Sequence, residues 1–546
     1  MMDQTPSSRF QIRLPLLLAT VLAAGMFIGQ QLPHFDNNFR LLSGRSQAGP
    51  IAGTLDEILR YIEARYVDSV NVADLKNGAI NHLLEQLDPH SVYITPEELQ
   101  AVEEDMSGNF EGVGIEFLLV DDTLQVVTPL TGGPSEAAGI LAGDKIISID
   151  DTIVAGVKID NGRIFKLLRG PKGSTVRLGI RRGPDAQVRY LNIIRDVIPM
   201  KSVEVAYMLD NQTAYVKINR FSARTYQEFM EAVRPMYEEQ GMKNLVLDLR
   251  GNPGGYLNEA SDLLSQFFPA EKLLVYTEGR IEGRREYKST GRARFNIQNI
   301  AVLIDEGSAS ASEIVAGAMQ DHDRAWIVGR RSFGKGLVQE QYPLEDGGAL
   351  RLTVARYFTP SGRCIQRDYK NGEDYDGETE RRLANGELSD AHKIVQQDTT
   401  KYYTGLGRVV FGGGGITPDV FIPLDTSFAN DYFFAVRQEI PQFAARWMET
   451  ADRHSMPADL NTFVHQYRLP DSLLDQLLAY AEAHGAKPDE AQIKACREEL
   501  RHQLKARLAK ILFQDQGMYS VLNDDDPAVE KALQLMRSGE PVAGNH

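Results

Sequence analysis

The sequence predicts a multidomain α/β protein, and three observations predict it. At 546 residues the chain exceeds what a single hydrophobic core organises. Between residues 197 and 425 apolar strand runs alternate with amphipathic helical patterns, the signature of a layered α/β domain. Helical periodicity flanks the chain's central part on both sides, over 51–106 and 426–546, and a block of short strands and turns occupies 107–196. With 42% hydrophobic and 25% charged residues, the composition is that of an ordinary globular protein. A net charge of −16, from 59 Lys+Arg against 75 Asp+Glu, argues against a nucleic-acid partner, which requires a basic face. The run Asp524-Asp525-Asp526 reads as a solvated loop and not as a metal site.

Residues 1–50 read as an address and a linker. Arg9 and Arg13 precede the apolar run Leu14 to Gly29, with no acidic residue between Arg9 and His34, which is the pattern of an export signal. At about sixteen residues the run is short for a full membrane span but long enough for a signal anchor. No small-x-small cleavage site follows, so an uncleaved anchor is favoured over a removed peptide. The expected location is the cell envelope, exported to the periplasmic side and anchored by this segment, which is the chain's only expected contact with a membrane.

In 51–106 the residues Leu55, Ile58, Leu59 and Ile62, then Ile80, Leu83, Leu84 and Leu87, recur at helical spacing until Asp88-Pro89 ends the pattern. Such a stripe packs on the body of the protein or on a second copy. In 107–196 the segments Leu124–Val127, Lys145–Ile149 and Thr175–Arg181 read as strands between glycine turns, and Leu167-Leu168-Arg169-Gly170 closes a helix. In 197–425 the expected strands are Ala214–Phe221, Asn244–Leu249, Ile300–Ile304, Ala325–Val328 and Ala349–Tyr357, and the expected helices are Arg224–Gln240, Asn258–Phe268 and Ala311–Gln320. The polar stretch 370–408 reads as a surface insertion. The helical tail 426–546 carries no recognisable chemistry and is expected to serve assembly or docking. Cys364 and Cys496 lie far apart without metal-ligand spacing, and two free thiols are favoured over a single bridge.

Three segments carry chemistry. Ser310, in Gly307-Ser308-Ala309-Ser310-Ala311-Ser312-Glu313, falls between a strand and a helix, where free backbone N–H groups favour developing negative charge. That placement suits a nucleophile attacking a carbonyl. Ser310-x-x-Glu313 also spells a capping box, which taken alone is the better reading. Lys335, between Gly334 and Gly336 and after Phe333, can be desolvated there and act as a neutral base. In an extended chain residues 335, 337 and 339 point the same way, so Gln339 can hold the lysine amine. The stretch Gly329 to Lys335 imitates a phosphate loop, but Gly336 replaces the Ser/Thr that magnesium needs, and a strand follows instead of a helix. Of the ten histidines only His322 and His392 fall within 201–425, in polar surroundings, so a histidine-based triad has little support. Third, Asp248-Leu249-Arg250-Gly251-Asn252-Pro253-Gly254-Gly255 ends a strand in a glycine turn. It reads either as an ordinary strand-to-helix turn or as half of an oxyanion hole, completed by the N–H of Ala311.

Together these segments resemble the carboxyl-terminal processing peptidases, the tail-specific protease family of Ser–Lys serine proteases, over roughly Thr54 to Pro423. The resemblance implies a crotonase/ClpP-like α/β protease core over 197–425, with Ser310 as nucleophile, Lys335 as general base and Gln339 orienting it. It implies an oxyanion hole from Ala311 and either Gly254 or Gly255, and no metal or organic cofactor. It also implies a PDZ domain over 107–196, whose carboxylate-binding loop is Gly112-Val113-Gly114-Ile115. Successive N–H groups of such a loop hold a terminal carboxylate while an edge strand pairs with the peptide. The expected partners are proteins or peptides with apolar C-termini and a second copy of the chain through the helical regions, with room for a regulatory protein. Two alternatives stand beside this reading. One is a PDZ scaffold on an inactive core; the other is acyl-CoA chemistry of the crotonase-like kind.

Overall fold

The computed structural model describes residues 50–130, 132–183, 187–369, 375, 377–452, 456–539 and 542. The apolar run of the expected anchor lies outside these residues. Among the described residues no helix is long and apolar enough to cross a membrane.

The N-terminal helices are α1 (Pro50–Arg65) and α2 (Val72–Glu85). Leu55, Ile58 and Tyr61 on α1 are exposed. The helical pattern expected through 106 is interrupted by a strand, β1 (Val92–Ile94), before α3 (Pro96–Ser107). The physical reason is a side-chain turn: Asp88 Oδ1 accepts the N–H groups of His90 and Ser91 at 2.8 and 2.9 Å, which diverts the backbone from helix. Thr95 and Glu98 then form the capping box that starts α3.

The second block opens with β2 (Asn109–Gly112), β3 (Ile115–Val120), β4 (Thr123–Pro129) and the short helix α4 (Pro134–Ala137). It continues through β5 (Lys145–Ile149), β6 (Thr152–Ile153), α5 (Asn161–Leu168), β7 (Thr175–Arg181), β8 (Arg189–Ile194) and β9 (Asp196–Pro199). Its sheet runs β3-β4-β5-β7-β8, which leaves β3 at an edge. Alternation sends Leu124, Val126, Ile146, Val176 and Leu178 into a closed core under α5. Strands β2 and β9 pair with each other and join the two ends of the block.

The α/β core follows as β10 (Val203–Met208), β11 (Thr213–Ile218), α6 (Thr225–Glu238), β12 (Asn244–Asp248) and α7 (Leu257–Leu264). Then come the hairpin β13 (Leu273–Gly279) and β14 (Gly283–Lys288), β15 (Asn299–Ile304), α8 (Ala311–Asp321) and β16 (Trp326–Gly329). Strands β17 (Leu337–Pro343) and β18 (Ala349–Phe358), helix α9 (Glu378–Ala384), and β19 (Lys401–Tyr403), β20 (Val409–Phe411) and β21 (Val420–Phe421) complete it. One sheet has the order β10-β11-β12-β15-β16-β21, parallel except for its first pair. Its central strands are buried on both faces, so they read as continuous apolar runs such as Leu245-Val246-Leu247. A second sheet gathers β1, β18, β17, β13 and β14.

Most described residues of the segment 370–408 are exposed or half-buried, as a surface insertion requires, but a few reach inward. Glu378, Arg382 and Glu387 are buried, and they meet Arg331 from the loop before Lys335: Arg331 pairs with Glu387 at 2.7 Å, and Arg382 with Glu378 at 3.0 Å. Arg382 also donates to the carbonyls of Arg331 and Ser332. The polarity of those few reflects a buried ion cluster, satisfied on both signs, beneath that loop.

The C-terminal helices are α10 (Asp431–Thr450), α11 (Leu460–His465), α12 (Asp471–Ala483), α13 (Glu490–Leu522) and α14 (Pro527–Ser538). Helix α13 is kinked where Phe513 and Gln514 leave helical geometry. The first four share a core of their own, built on Leu474, Leu477, Leu500 and Leu504. Their outer side meets the β3–β4–β5 sheet: Glu449 accepts from Gln125 at 2.8 Å and pairs with Lys145 at 3.1 Å, and Lys510 pairs with Glu116 at 3.4 Å. Helix α14 packs Ala528, Val529 and Ala532 on the parallel sheet beside Tyr215, Val246 and Leu303. Asp526 is no solvated loop residue, because it caps α14 and pairs with Arg250 at 2.7 Å.

Candidate active site

Strand β15 delivers the chain to a turn over 305–309 and then to Ser310 at the N-terminus of α8. The turn is laced to the glycine turn that follows β12. Asp305 Oδ1 accepts from Gly251 N at 2.8 Å, Ser308 Oγ donates to Leu249 O at 2.8 Å, and Ala309 N donates to Asn252 O at 2.9 Å. Ser310 itself has φ 54° and ψ −113°, outside the regions that L-residues populate readily. Such a conformation costs about 1–3 kcal/mol and persists only where the surroundings over-determine it. Here Glu313 takes the Ser310 N–H at 2.8 Å, and buried Tyr357 donates its hydroxyl to the Ser310 carbonyl at 3.2 Å.

The glycine turn lies directly against the serine. A Cβ on Gly254 (φ 101°) would sit 2.7 Å from Ser310 Cβ and 2.9 Å from Ala311 N; one on Gly255 would lie 2.0 Å from the Phe221 carbonyl oxygen. The turn distinguishes the two glycines left open by the sequence. Gly254 donates its N–H to Asn252 Oδ1 at 2.9 Å and is committed there. Among the described residues the N–H groups of Gly255 and Ala311 have no hydrogen-bond acceptor. The turn is braced from behind by Asp248, which accepts Arg250 at 2.6 Å, and by Lys217, which donates to Arg250 O at 3.0 Å. Burial alone would raise the Asp248 pKa, but Arg250 and Lys217 more than reverse this and hold it well below the usual carboxylate range.

Lys335 arrives on the loop after β16. Its backbone N–H donates to Glu313 Oε2 at 2.9 Å, while Glu313 Oε1 accepts from Ser332 Oγ at 2.5 Å and from Gly334 N at 2.7 Å. Glu313 is fully buried, and that desolvation lifts its pKa to about 7 against the pull of these four donors. The capping-box reading is therefore half of what Glu313 does, since the same carboxylate clamps the lysine loop. Burial lowers the pKa of the Lys335 amine and the Arg351 charge lowers it further, while Glu313 and Asp88 act the other way. Among the described residues no carboxylate pairs with its ammonium. The phosphate-loop imitation ends as the sequence indicates, in strand β17.

Among the described residues no hydrogen bond joins Gln339 to Lys335. Lys335 precedes β17, the bulge opposite Val338 and Gln339 leaves Val354 of β18 unpaired, and the Gln339 amide donates to Thr353 Oγ1 at 3.2 Å. Ser310, Lys335, Gln339 and Gly255 nevertheless line one cleft of ≈ 940 Å³, together with Arg351 and Tyr357. His322 bonds the Leu273 carbonyl at 2.7 Å. A histidine outside the searched segment lies closer: His90 bonds Tyr375 OH at 2.7 Å, and burial, then the Lys335 charge, lower its pKa to about 4. Asp88, Ser91, Thr353 and the clamping role of Glu313 escaped the sequence reading. The one local signal is Asp88-Pro89-His90-Ser91, which in sequence marks only a helix stop.

In the second block Gly112 ends β2 and Gly114 has φ 72°, where a Cβ would meet Ile198 at 2.9 Å. The Val113 and Gly114 carbonyls are tied to Ser135 and Leu130. Among the described residues the N–H groups of Val113 and Gly114 donate to nothing, at the start of edge strand β3.

A parallel α/β core with a glycine-turn serine site, carrying a small sheet with an open edge and a free N–H loop, defines the class of PDZ-bearing peptidases. Comparison with known proteins supplies the family. Residues 212–376 match peptidase family S41, residues 125–182 match the PDZ domain, and residues 435–514 match a family of unknown function. Over 321 residues the chain is 37% identical to a carboxy-terminal-processing protease of Bartonella bacilliformis, covering 57% of this chain and 71% of that one. Over 316 residues it is 34% identical to the carboxy-terminal processing protease CtpB of Bacillus subtilis, covering 57% and 65%. Among solved structures, a photosystem II D1 C-terminal processing protease aligns with a TM-score of 0.35 at 26% identity, covering 67% of this chain and 92% of that one. The chain belongs to peptidase family S41.

Proposed function

We propose that this peptidase is a serine endopeptidase of the cell envelope in which Ser310 is the nucleophile, Lys335 the general base, and the PDZ domain the receptor for substrate C-termini. The observation that carries the reading is the pairing of a strained serine at a helix N-terminus with a desolvated lysine in one cleft, both anchored through Glu313. Neutral Lys335 takes the Ser310 hydroxyl proton as Oγ attacks the scissile carbonyl carbon. The N–H groups of Gly255 and Ala311 receive the oxyanion. The Lys335 ammonium then protonates the leaving amine, and the C–N bond breaks to leave an acyl ester on Ser310. A water, deprotonated by Lys335, hydrolyses that ester and returns the proton to Ser310.

The loop Gly112-Val113-Gly114-Ile115 supports capture of a terminal carboxylate, and the open edge of β3 supports strand addition by the peptide. The exposed apolar residues of α1 support self-association, and the basic-apolar pattern of residues 9–29 supports export with retention at the membrane. The test uses the full chain, Ser310→Ala and Lys335→Ala with an unfolded protein bearing a free or an amidated apolar C-terminus. Wild type is expected to cleave and both variants to fail. Equal cleavage by Ser310→Ala removes the Ser–Lys assignment; indifference to amidation removes the PDZ capture role; release of the active chain without membrane fractionation removes the anchor.

A further inference from the structure

We propose that Asp88 and Thr353 are positioning residues that fix the orientation of the Gln339 amide, and through it the Lys335 amine. The proposal rests on the Ser310–Lys335 reading above.

The argument follows the protons. Asp88 is buried and receives four donors: His90 N at 2.8 Å, Ser91 N at 2.9 Å and Thr353 Oγ1 at 3.0 Å on Oδ1, and Ser91 Oγ at 2.7 Å on Oδ2. With donors on both oxygens this carboxylate accepts everywhere and offers no proton. The Thr353 hydroxyl has one proton and gives it to Asp88, so towards Gln339 its oxygen is an acceptor only. Gln339 meets it at 3.2 Å and must present its NH2 group. The amide carbonyl then faces the opposite way, and among the described residues it has no donor. Gln339 and Lys335 line the same cleft. A carbonyl turned that way can accept from the lysine nitrogen when the lysine side chain swings to it, whereas an NH2 group in its place would oppose it.

The backbone enforces the relay. Strand β1 pairs with β18, and Thr353 N donates to Ser91 Oγ at 3.1 Å, which locks the Asp88 turn onto the strand carrying Thr353. The charges that act on Lys335 come from Arg351 on the same strand, Glu313 on α8 and Asp88, while the neighbouring His90, its pKa lowered to about 4 by burial and the Lys335 charge, is neutral. Asp88 thus has a second effect: its negative charge favours the protonated lysine.

The test uses the full chain with Thr353→Val, Thr353→Ser and Asp88→Asn, assayed on an unfolded protein substrate for kcat, KM and pH profile, with thermal unfolding in parallel. Thr353→Val keeps the shape and deletes the hydroxyl; kcat is expected to fall about 10-fold at unchanged KM, as for loss of an oriented base. Thr353→Ser restores the hydroxyl and is expected to stay within about twofold of wild type. Asp88→Asn removes the charge and is expected to move the ascending pH limb to lower pH. Wild-type kcat in Thr353→Val, an equal fall in Thr353→Ser, or an unmoved limb in Asp88→Asn overturns the proposal. Activity in Ser310→Ala, run beside them, instead overturns the reading on which it rests.

Discussion

Glu313 accepts the backbone N–H of Lys335 at 2.9 Å, on the same carboxylate oxygen that accepts the N–H of Ser310 at 2.8 Å. One buried group therefore sets the spacing between the Ser310 backbone and the lysine loop. Because the carboxylate sits at 0% exposure with four donors, its geometry is more constrained than any surface pair would be.

Glu313→Gln tests that clamp without changing size. The substitution turns one acceptor oxygen into an NH2 group that must face two N–H or hydroxyl donors. A fall in kcat of about 10²-fold is expected, the scale of a displaced catalytic group. Steady-state kinetics within twofold of wild type would remove Glu313 from the account.

Cleavage should rise with pH along a limb set by Lys335. Lysine works as a base only after losing its proton, and burial with the Arg351 charge lowers its pKa below the usual 10.5. Activity therefore falls away below that lowered pKa and rises through it, with the midpoint of the limb below 10.5. A kcat/KM profile whose limb lies at or above 10.5 would contradict the desolvated amine.

Gly254→Ala places a Cβ 2.7 Å from both the Ala309 carbonyl oxygen and Ser310 Cβ, at φ 101°. Loss of cleavage is expected, with destabilisation of about 1–3 kcal/mol from overpacking. Gly251→Ala provides the comparison: its φ is 69°, but a Cβ there meets nothing within 4 Å. The two variants should differ clearly in thermal midpoint and rate; equal losses would mean that backbone strain, not contact with Ser310, is the cause.

Asp526→Asn keeps a residue able to cap α14 but weakens the bond to Arg250. A loss of about 1 kcal/mol is expected from a partly exposed charge pair, with a reduced kcat because Arg250 belongs to the glycine turn that lies against Ser310. Unchanged unfolding midpoint and unchanged rate together would show that α14 does not support the turn.

Much of the core was legible because its strands are apolar runs, continuous or interrupted by single polar residues, that begin at or after glycine or asparagine. Asn244–Asp248, Asn299–Ile304 and Ala349–Phe358 lie within a residue of where periodicity places them. Ser310, Lys335 and the glycine turn were legible for a different reason, since each occupies a backbone position with its own residue requirements. What periodicity missed depends on contacts between distant segments. Asp88 meets Thr353 across 265 residues, and Glu387 meets Arg331 across 56, so their local sequences show only polarity. The bulge at Val354, which brings Thr353 opposite Gln339, is a tertiary adjustment that strict alternation does not foresee. Asp526 looked like part of a loose acidic run because its partner lies far upstream.

That last separation has a temporal meaning. Arg250 waits for a carboxylate 276 residues further along the chain. A polypeptide emerging from its N-terminus holds both Ser310 and Lys335 long before Asp526 and α14 exist to brace the turn beside them. The order of synthesis thus delays the finished cleft until the segment carrying Asp526 and α14 has been made. A chain ended at Leu522 that still cleaves at the full rate would disprove that delay.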